Sequence, residues 1–225
     1  VGRIREWVRD GGSHGDCAVL YRSNAQSRAF EETLLAEQVP YRVYGGVRFF
    51  ERAEVKDTLA YLRLVANRAD DAAFERTVNT PVRGIGDRTL DEVRRRARER
   101  SVSLWQAASA LVAENALAAR ARNAVAGFLS LIEALDAETT DLALKDRVDH
   151  VLARSGLREH WSSEARGQLD AESRLENLDE LVSVASRFSR AELDDDQESM
   201  SELVAFLSYA ALEAGEGQAQ ADEDG

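Results

Sequence analysis

The residues of this sequence best suited to chemistry by type and spacing are Arg83, Gly84, Ile85, Gly86 and Thr89. They lie in the run Asn-Thr-Pro-Val-Arg-Gly-Ile-Gly-Asp-Arg-Thr at 79–89. Two glycines around one apolar plug, Ile85, let the backbone take angles that side chains forbid. The spacing predicts a short helix over 72–79, with Phe74 and Val78 on one face, and a second over 87–100, with Leu90, Val93 and Ala97 on one stripe. Pro81 has no N–H and disfavours the helical region at Thr80, so the first helix must stop there. The second then opens with unsatisfied N–H groups, an anion site worth about 0.3–1 kcal/mol from the helix dipole. Arg83 and Arg88 flank it, which points to a phosphate of a nucleic-acid backbone. The competing reading is that Gly-x-Gly merely turns the chain.

Two further runs carry candidates. In Tyr-Arg-Ser-Asn-Ala-Gln-Ser-Arg (21–28), a strand gives way to a helix, the position at which open α/β sheets bind ligands. Arg22 suits a two-pronged phosphate contact and Asn24 a hydrogen bond to backbone or base. Equally, Ser23 or Asn24 caps the helix and Arg22 is a solvated charge. In Tyr-Gly-Gly-Val-Arg-Phe-Phe-Glu-Arg-Ala-Glu-Val-Lys-Asp (44–57), Glu51, Arg52, Glu54, Lys56 and Asp57 suggest a turn locked by ion pairs. Lys56 is also a phosphate candidate, because Arg52 one turn earlier has the same sign and the two should repel.

Other chemistries lack their residues. No Gly-x-x-x-x-Gly-Lys-Ser/Thr loop is present to cradle a nucleoside triphosphate. Asp91-Glu92 lies in the first turn of a helix, where acids favour the dipole without a metal. His14 and Cys17 are two ligands short of a zinc site, with His150 and His160 far off in sequence. Taken alone, the chain reads as non-catalytic, with no metal and no cofactor of its own.

The elements that position these residues divide into two regions. Ile4–Val8 reads as a helix end stopped by Gly11-Gly12. The run 17–21, Cys-Ala-Val-Leu-Tyr, reads as a buried strand, 25–37 as a helix broken by Pro40, and 41–44 as a second strand. Strand, helix, strand in this length is a βαβ unit, so residues 1–45 predict a partial α/β segment. Beyond Gly45-Gly46 the pattern becomes helical. Helices are predicted over 53–66, with Val55, Leu59, Leu62 and Val65 inward, then over 72–79, 87–100, 103–113, 116–137, 141–155, 170–189 and 199–213. Ser101, Ser103 and Asn115 are candidate caps, and Gly156 sits where a helix C-terminus wants glycine. In 173–181, Leu175, Leu178 and Leu181 read as core, with Arg174 and Glu176 at the surface. From Gly215 the composition predicts a connector without fixed structure. The fold class expected is mainly α, over 46–214, with an acidic connector at 215–225.

Composition sets the bounds. With 225 residues and a net charge of −12, the chain looks unsuited to a polyanion, but residues 191–225 alone hold eleven Asp or Glu and no Lys or Arg. Between Thr80 and Arg100 seven Arg face four acids, a local basic surface. The single cysteine, Cys17, rules out an internal disulfide and fits a reducing cytoplasm. No run approaches the ~20 apolar residues of a membrane helix. The chain begins without Met and stops in no recognisable element, which suggests a piece of a longer protein.

Four motifs in this order complete the reading: 18–28, Tyr-Gly-Gly-x-x-Phe-x-x-Arg-x-Glu-x-Lys-Asp at 44–57, Arg-Gly-Ile-Gly at 83–86, and Ser-Arg-Leu-Glu-Asn-Leu-Asp-Glu-Leu at 173–181. Together they resemble the UvrD/PcrA/Rep family, superfamily-one DNA helicases that move 3′ to 5′, over essentially the whole chain. The resemblance implies that residues 1–45 belong to a RecA-like domain, 2A, and 46–214 to the swivelling helical insertion 2B, which carries a helix-hairpin-helix element. The tail would return to 2A. It places Arg22 and Asn24 on a single-stranded DNA path, and Lys56, Arg83, Gly84, Ile85, Gly86 and Thr89 against duplex. ATP and Mg would serve the parent helicase, and its DNA would be a 3′-tailed duplex with a single-strand/double-strand junction. The rival expectation is a protein-docking, autoinhibitory module that meets repair proteins or a second helicase copy.

Overall fold

The computed structural model describes residues 1–21, 26–41, 43, 48–165, 167–188 and 200–222, with side chains up to 214. Eleven α-helices lie in that span: α1 (Gly2–Arg9), α2 (Ser27–Ala36), α3 (Ala53–Ala66), α4 (Asp71–Thr77), α5 (Asp87–Arg100), α6 (Leu104–Ala113), α7 (Ala119–Thr139), α8 (Leu144–Ser155), α9 (Leu157–Ser163), α10 (Gln168–Arg187) and α11 (Glu202–Asp222). Short 3₁₀ turns occupy His14–Asp16 and Phe49–Glu51. The architecture is mainly α, as the helical periodicity requires.

The mast of the helical part is α3. An amphipathic helix with one inward face was expected, yet α3 buries Val55, Ala60, Tyr61, Leu62, Leu64 and Val65, residues that lie all around its circumference. A helix apolar on every side belongs in the middle of a core. Here α4, α7, α8, α9, α10 and α11 all pack against it. Phe74 of α4 meets Phe128 of α7 edge-on, with ring centroids 5.5 Å apart. Leu178 and Leu181 of α10 are fully buried and Leu175 is partly so, which matches the leucine spacing read from the sequence.

Polar groups knit the start of α3 to its surroundings. Arg52, Glu54 and Asp57 are all buried. The ion-paired turn expected there is instead a hydrogen-bonded relay. Arg52 donates to Asn177 Oδ1 at 2.7 Å and to Ser27 Oγ at 2.6 Å, and Asn177 Nδ2 donates to Glu54 Oε1 at 2.5 Å. Asp57 pairs with Arg76 at 2.7 Å. Burial pulls the Arg52 pKa down, opposed by the charges of Glu31 and Glu54. Arg52 therefore points into the protein, and its expected repulsion with Lys56 does not arise.

Several local expectations change. Cys17–Tyr21 forms no strand, with Leu20 93% exposed, and two positions of the second expected strand, 42 and 44, lie outside the described residues. An apolar run has no ladder to join unless other strands flank it. Ser103 does cap α6, through a capping box with Gln106, but Ser101 ends α5 in the left-handed region at φ 52°. Asn115 takes φ 52° in the turn after α6, and α7 starts later, at Ala119. Gly156, at φ 79°, ends α8 as expected and also opens α9, a short helix that the periodicity did not reveal. The backbone of α11 continues to Asp222, because Ala, Glu and Gln outnumber the glycines at 215 and 217.

Candidate nucleic-acid interface

The link between α4 and α5 is built from inside outwards. Asp70 caps α4 by accepting from the Ala73 N–H, and α4 ends at Thr77. Pro81, preceded by a cis bond, follows in the turn. Asn79 then organises the loop. Its Oδ1 accepts the N–H groups of Arg83 at 2.8 Å and Ile85 at 3.2 Å, and the Ile85 side chain is fully buried. With that side chain sunk in the core, the residues on either side are pushed to the surface.

Gly84, Gly86, Asp87 and Arg88 are exposed, and their N–H groups make no hydrogen bond among the described residues. The Thr89 N–H turns back to Gly86 O at 2.9 Å, while its hydroxyl has no partner among the described residues. No side chain caps α5 at Gly86. The mouth of the helix thus carries unbonded amides: of the seven N–H groups from Arg83 to Thr89, three are spent inside the fold and four make no hydrogen bond among the described residues. Asp87 places one negative charge there, and the exposed guanidinium of Arg88, which makes no ion pair among the described residues, offsets it. Farther along α5, Arg94, Arg95, Arg96 and Arg100 are all paired with Glu or Asp.

The two glycines have different reasons to be glycine. Gly84 sits at φ 79°, a left-handed conformation that a side chain strains. Gly86 has φ −83° and ψ 171°, open to any residue, and a Cβ there would meet nothing within 4 Å. The expectation that both glycines serve forbidden angles holds for Gly84 alone. Nothing inside the chain requires Gly86 to lack a side chain.

Arg83 departs furthest from its expected place as a phosphate ligand. Its Nη1 donates to Thr77 O at 3.1 Å and Pro81 O at 3.0 Å, and its Nη2 donates to Ser155 O at 3.1 Å and to the Tyr61 hydroxyl. The guanidinium also lies over the rings of Tyr61 and Phe128, 5.6 and 5.7 Å from their centroids. A half-buried cation takes whatever acceptors surround it, and here those acceptors are carbonyls of the protein itself. Tyr61 donates onward to Thr80 O at 2.7 Å. Burial pushes the Tyr61 phenol up to about 12, even though Arg83 acts to lower it. Sequence reasoning missed Tyr61 and Asn79, since neither stands out by spacing from the glycines.

Lys56 is exposed on the first turn of α3, and its ammonium has no ion pair among the described residues. It precedes Tyr61 by five residues, so it projects about 140° around the helix from the side that supports the hairpin. Arg22 and Asn24 lie outside the described residues. Of the expected contacts, the structure therefore groups Gly84, Ile85, Gly86 and Thr89 in one hairpin, braced from behind by Arg83.

Among the described residues the helical body thus presents, at the start of α5, amides without a hydrogen-bond partner beside the exposed Arg88, an arrangement whose chemistry suits an anion. The chain matches the UvrD-like helicase C-terminal domain over residues 1–224 and belongs to that family. It is 55% identical to DNA helicase II of Escherichia coli (strain K12) over 224 residues, covering all of this chain and 30% of that protein. It is 39% identical to the ATP-dependent DNA helicase PcrA of Bacillus subtilis (strain 168), covering 93% of this chain and 27% of the relative. The chain thus spans under a third of the length of these relatives. No helix among the described residues is long and apolar enough to cross a membrane.

Proposed function

We propose that this chain is the duplex-holding and regulatory part of an ATP-dependent DNA helicase that moves 3′ to 5′ and acts in DNA repair. Residues 1–45 form part of the RecA-like domain 2A, 46–214 the helical insertion 2B, and 215–225 the connector back toward 2A. The observation that carries the reading is the row of uncovered N–H groups at Gly84, Gly86, Asp87 and Arg88 in a chain of this family. Such amides grip a phosphate without reading a base, which suits a protein that must pass along any sequence.

In this reading α4, its turn and α5 are the helix-hairpin-helix element. Gly84, Gly86 and Thr89 contact the duplex backbone, with Ile85 anchoring the hairpin and Arg88 adding charge. The freedom of Gly86 from any internal need is explained by the close approach of a sugar-phosphate strand. Lys56 meets the duplex farther along, and Arg22 and Asn24 the single strand. ATP and Mg act in the complete helicase. The residues present include no triphosphate loop and, among the described residues, no group of three His, Cys, Asp or Glu placed to hold a metal, so no hydrolytic step is derived from them.

The test is binding of the chain to a duplex with a 3′ single-stranded tail across a range of salt. Arg88→Ala and Lys56→Ala are each expected to reduce the log–log salt slope by about 0.9, the loss of one phosphate contact. Slopes equal to that of the unchanged chain in both variants would remove the duplex reading.

A further inference from the structure

A dense set of contacts at the hairpin belongs to a half-buried side chain that turns back into the fold. Arg83 joins four parts of the fold: the last turn of α4 through Thr77 O, the turn itself through Pro81 O, α3 through the Tyr61 hydroxyl, and the C-terminus of α8 through Ser155 O. Its plane lies over Tyr61 and over Phe128 of α7. The next residue after Ser155, Gly156, faces the turn as well, since a Cβ there would lie 3.8 Å from Pro81 Cγ. Arg83 thereby fixes the hairpin to the α8–α9 joint.

We propose that Arg83 is a positioning residue for the duplex-binding hairpin: it sets where the Gly84 and Gly86 amides stand and makes no phosphate contact itself. This rests on the interface reading above. Two chemical facts support it. The donors toward Thr77, Pro81, Tyr61 and Ser155 use both terminal nitrogens, so little of the fork is left for an outside anion. Two acceptors meet each terminal nitrogen, four in all, which a guanidinium fork can satisfy and the three donors of an ammonium cannot. Tyr61 is the second member of the device, because its hydroxyl accepts from Arg83 while donating to Thr80 O on the hairpin's near side.

The two roles separate in one variant. A lysine at 83 preserves a point charge, so it would sustain a direct phosphate contact, but it lacks the fork that braces the turn. Arg83→Lys is therefore expected to weaken binding to the 3′-tailed duplex about tenfold or more, while leaving the salt slope where it was. In hydrogen exchange the Ile85 amide, held by Asn79, should lose protection while amides of α7 and α10 keep theirs. Tyr61→Phe, which retains the ring and is milder toward folding, is expected to move both readouts in the same direction. Binding by Arg83→Lys equal to that of the unchanged chain, or a slope lowered by about 0.9 in Arg83→Ala, would overturn the proposal. If instead Arg88→Ala and Gly86→Ala bind like the unchanged chain, the interface reading fails. The Ile85 exchange result then still decides whether Arg83 holds the hairpin.

Discussion

Asn79 and Ile85 are joined by a single hydrogen bond, from the Ile85 N–H to Asn79 Oδ1 at 3.2 Å, and the same oxygen takes the Arg83 N–H at 2.8 Å. One side-chain carbonyl thus ties down alternate amides of the hairpin. The amides between and after them, at Gly84 and Gly86, are left outward. Asn79→Ala removes the acceptor and leaves two N–H groups near the core without a partner. It is expected to cost about 1–3 kcal/mol in urea denaturation, and to weaken duplex binding by more than any single surface arginine does.

The glycines give a contrast between stability and binding. Gly84→Ala forces a side chain into the left-handed region and is expected to lower stability by about 1 kcal/mol. Gly86→Ala meets no atom of the protein and no forbidden angle. It is expected to leave the melting temperature unchanged and still weaken duplex binding, because its new methyl group occupies the space a strand would enter. A Gly86→Ala variant that binds DNA normally would leave that glycine without an explanation.

Tyr61 supplies a pH dependence. Its phenol has an ordinary value of 10.0 when unfolded and about 12 when buried. Between these values the unfolded chain gives up a proton that the folded chain keeps. Stability is therefore independent of this group below pH 10 and falls as pH rises toward 12, by about 3 kcal/mol in all. Tyr209 is also raised, by burial first, and contributes in the same direction. Denaturation midpoints measured from pH 9 to 12 should decline less steeply in Tyr61→Phe than in the unchanged chain.

Asn177 holds Arg52 with one end of its amide and Glu54 with the other, all three being buried. Asn177→Leu keeps the volume and breaks both bonds, so buried Glu54 loses its amide donor and buried Arg52 is left with Ser27 Oγ. It is expected to destabilise the fold by about 3–5 kcal/mol, seen as a lower urea midpoint. Equal stability would show that Arg52 and Glu54 pair directly once the amide is gone.

Much of the helical frame could be read in the amino-acid order because its punctuation is local. Gly86 and Ser101 bracket α5 at the expected 87–100, and Gly156 ends α8 where a left-handed residue was needed. The helix α9 escaped because it follows that same glycine with no break, and seven residues are too few to establish a period. The strand expected at 17–21 failed because pairing is not a property of one segment. The direction of Arg83 was illegible for a different reason. Its acceptors come from Tyr61 and Ser155, 22 and 72 residues away, and only the folded chain brings them to the turn. The sequence announced an arginine beside two glycines; which way it faced was decided by α3 and α8.

The burial of α3 on all sides has a mechanical consequence. Any load placed on the Gly84–Gly86 tip travels through Arg83 into Tyr61, and Tyr61 sits on a helix that cannot slide without disturbing six neighbours. Strain is thus shared across the whole bundle instead of stretching one loop. The hairpin is a hook bolted to the keel, with little slack between its tip and the helical body behind it.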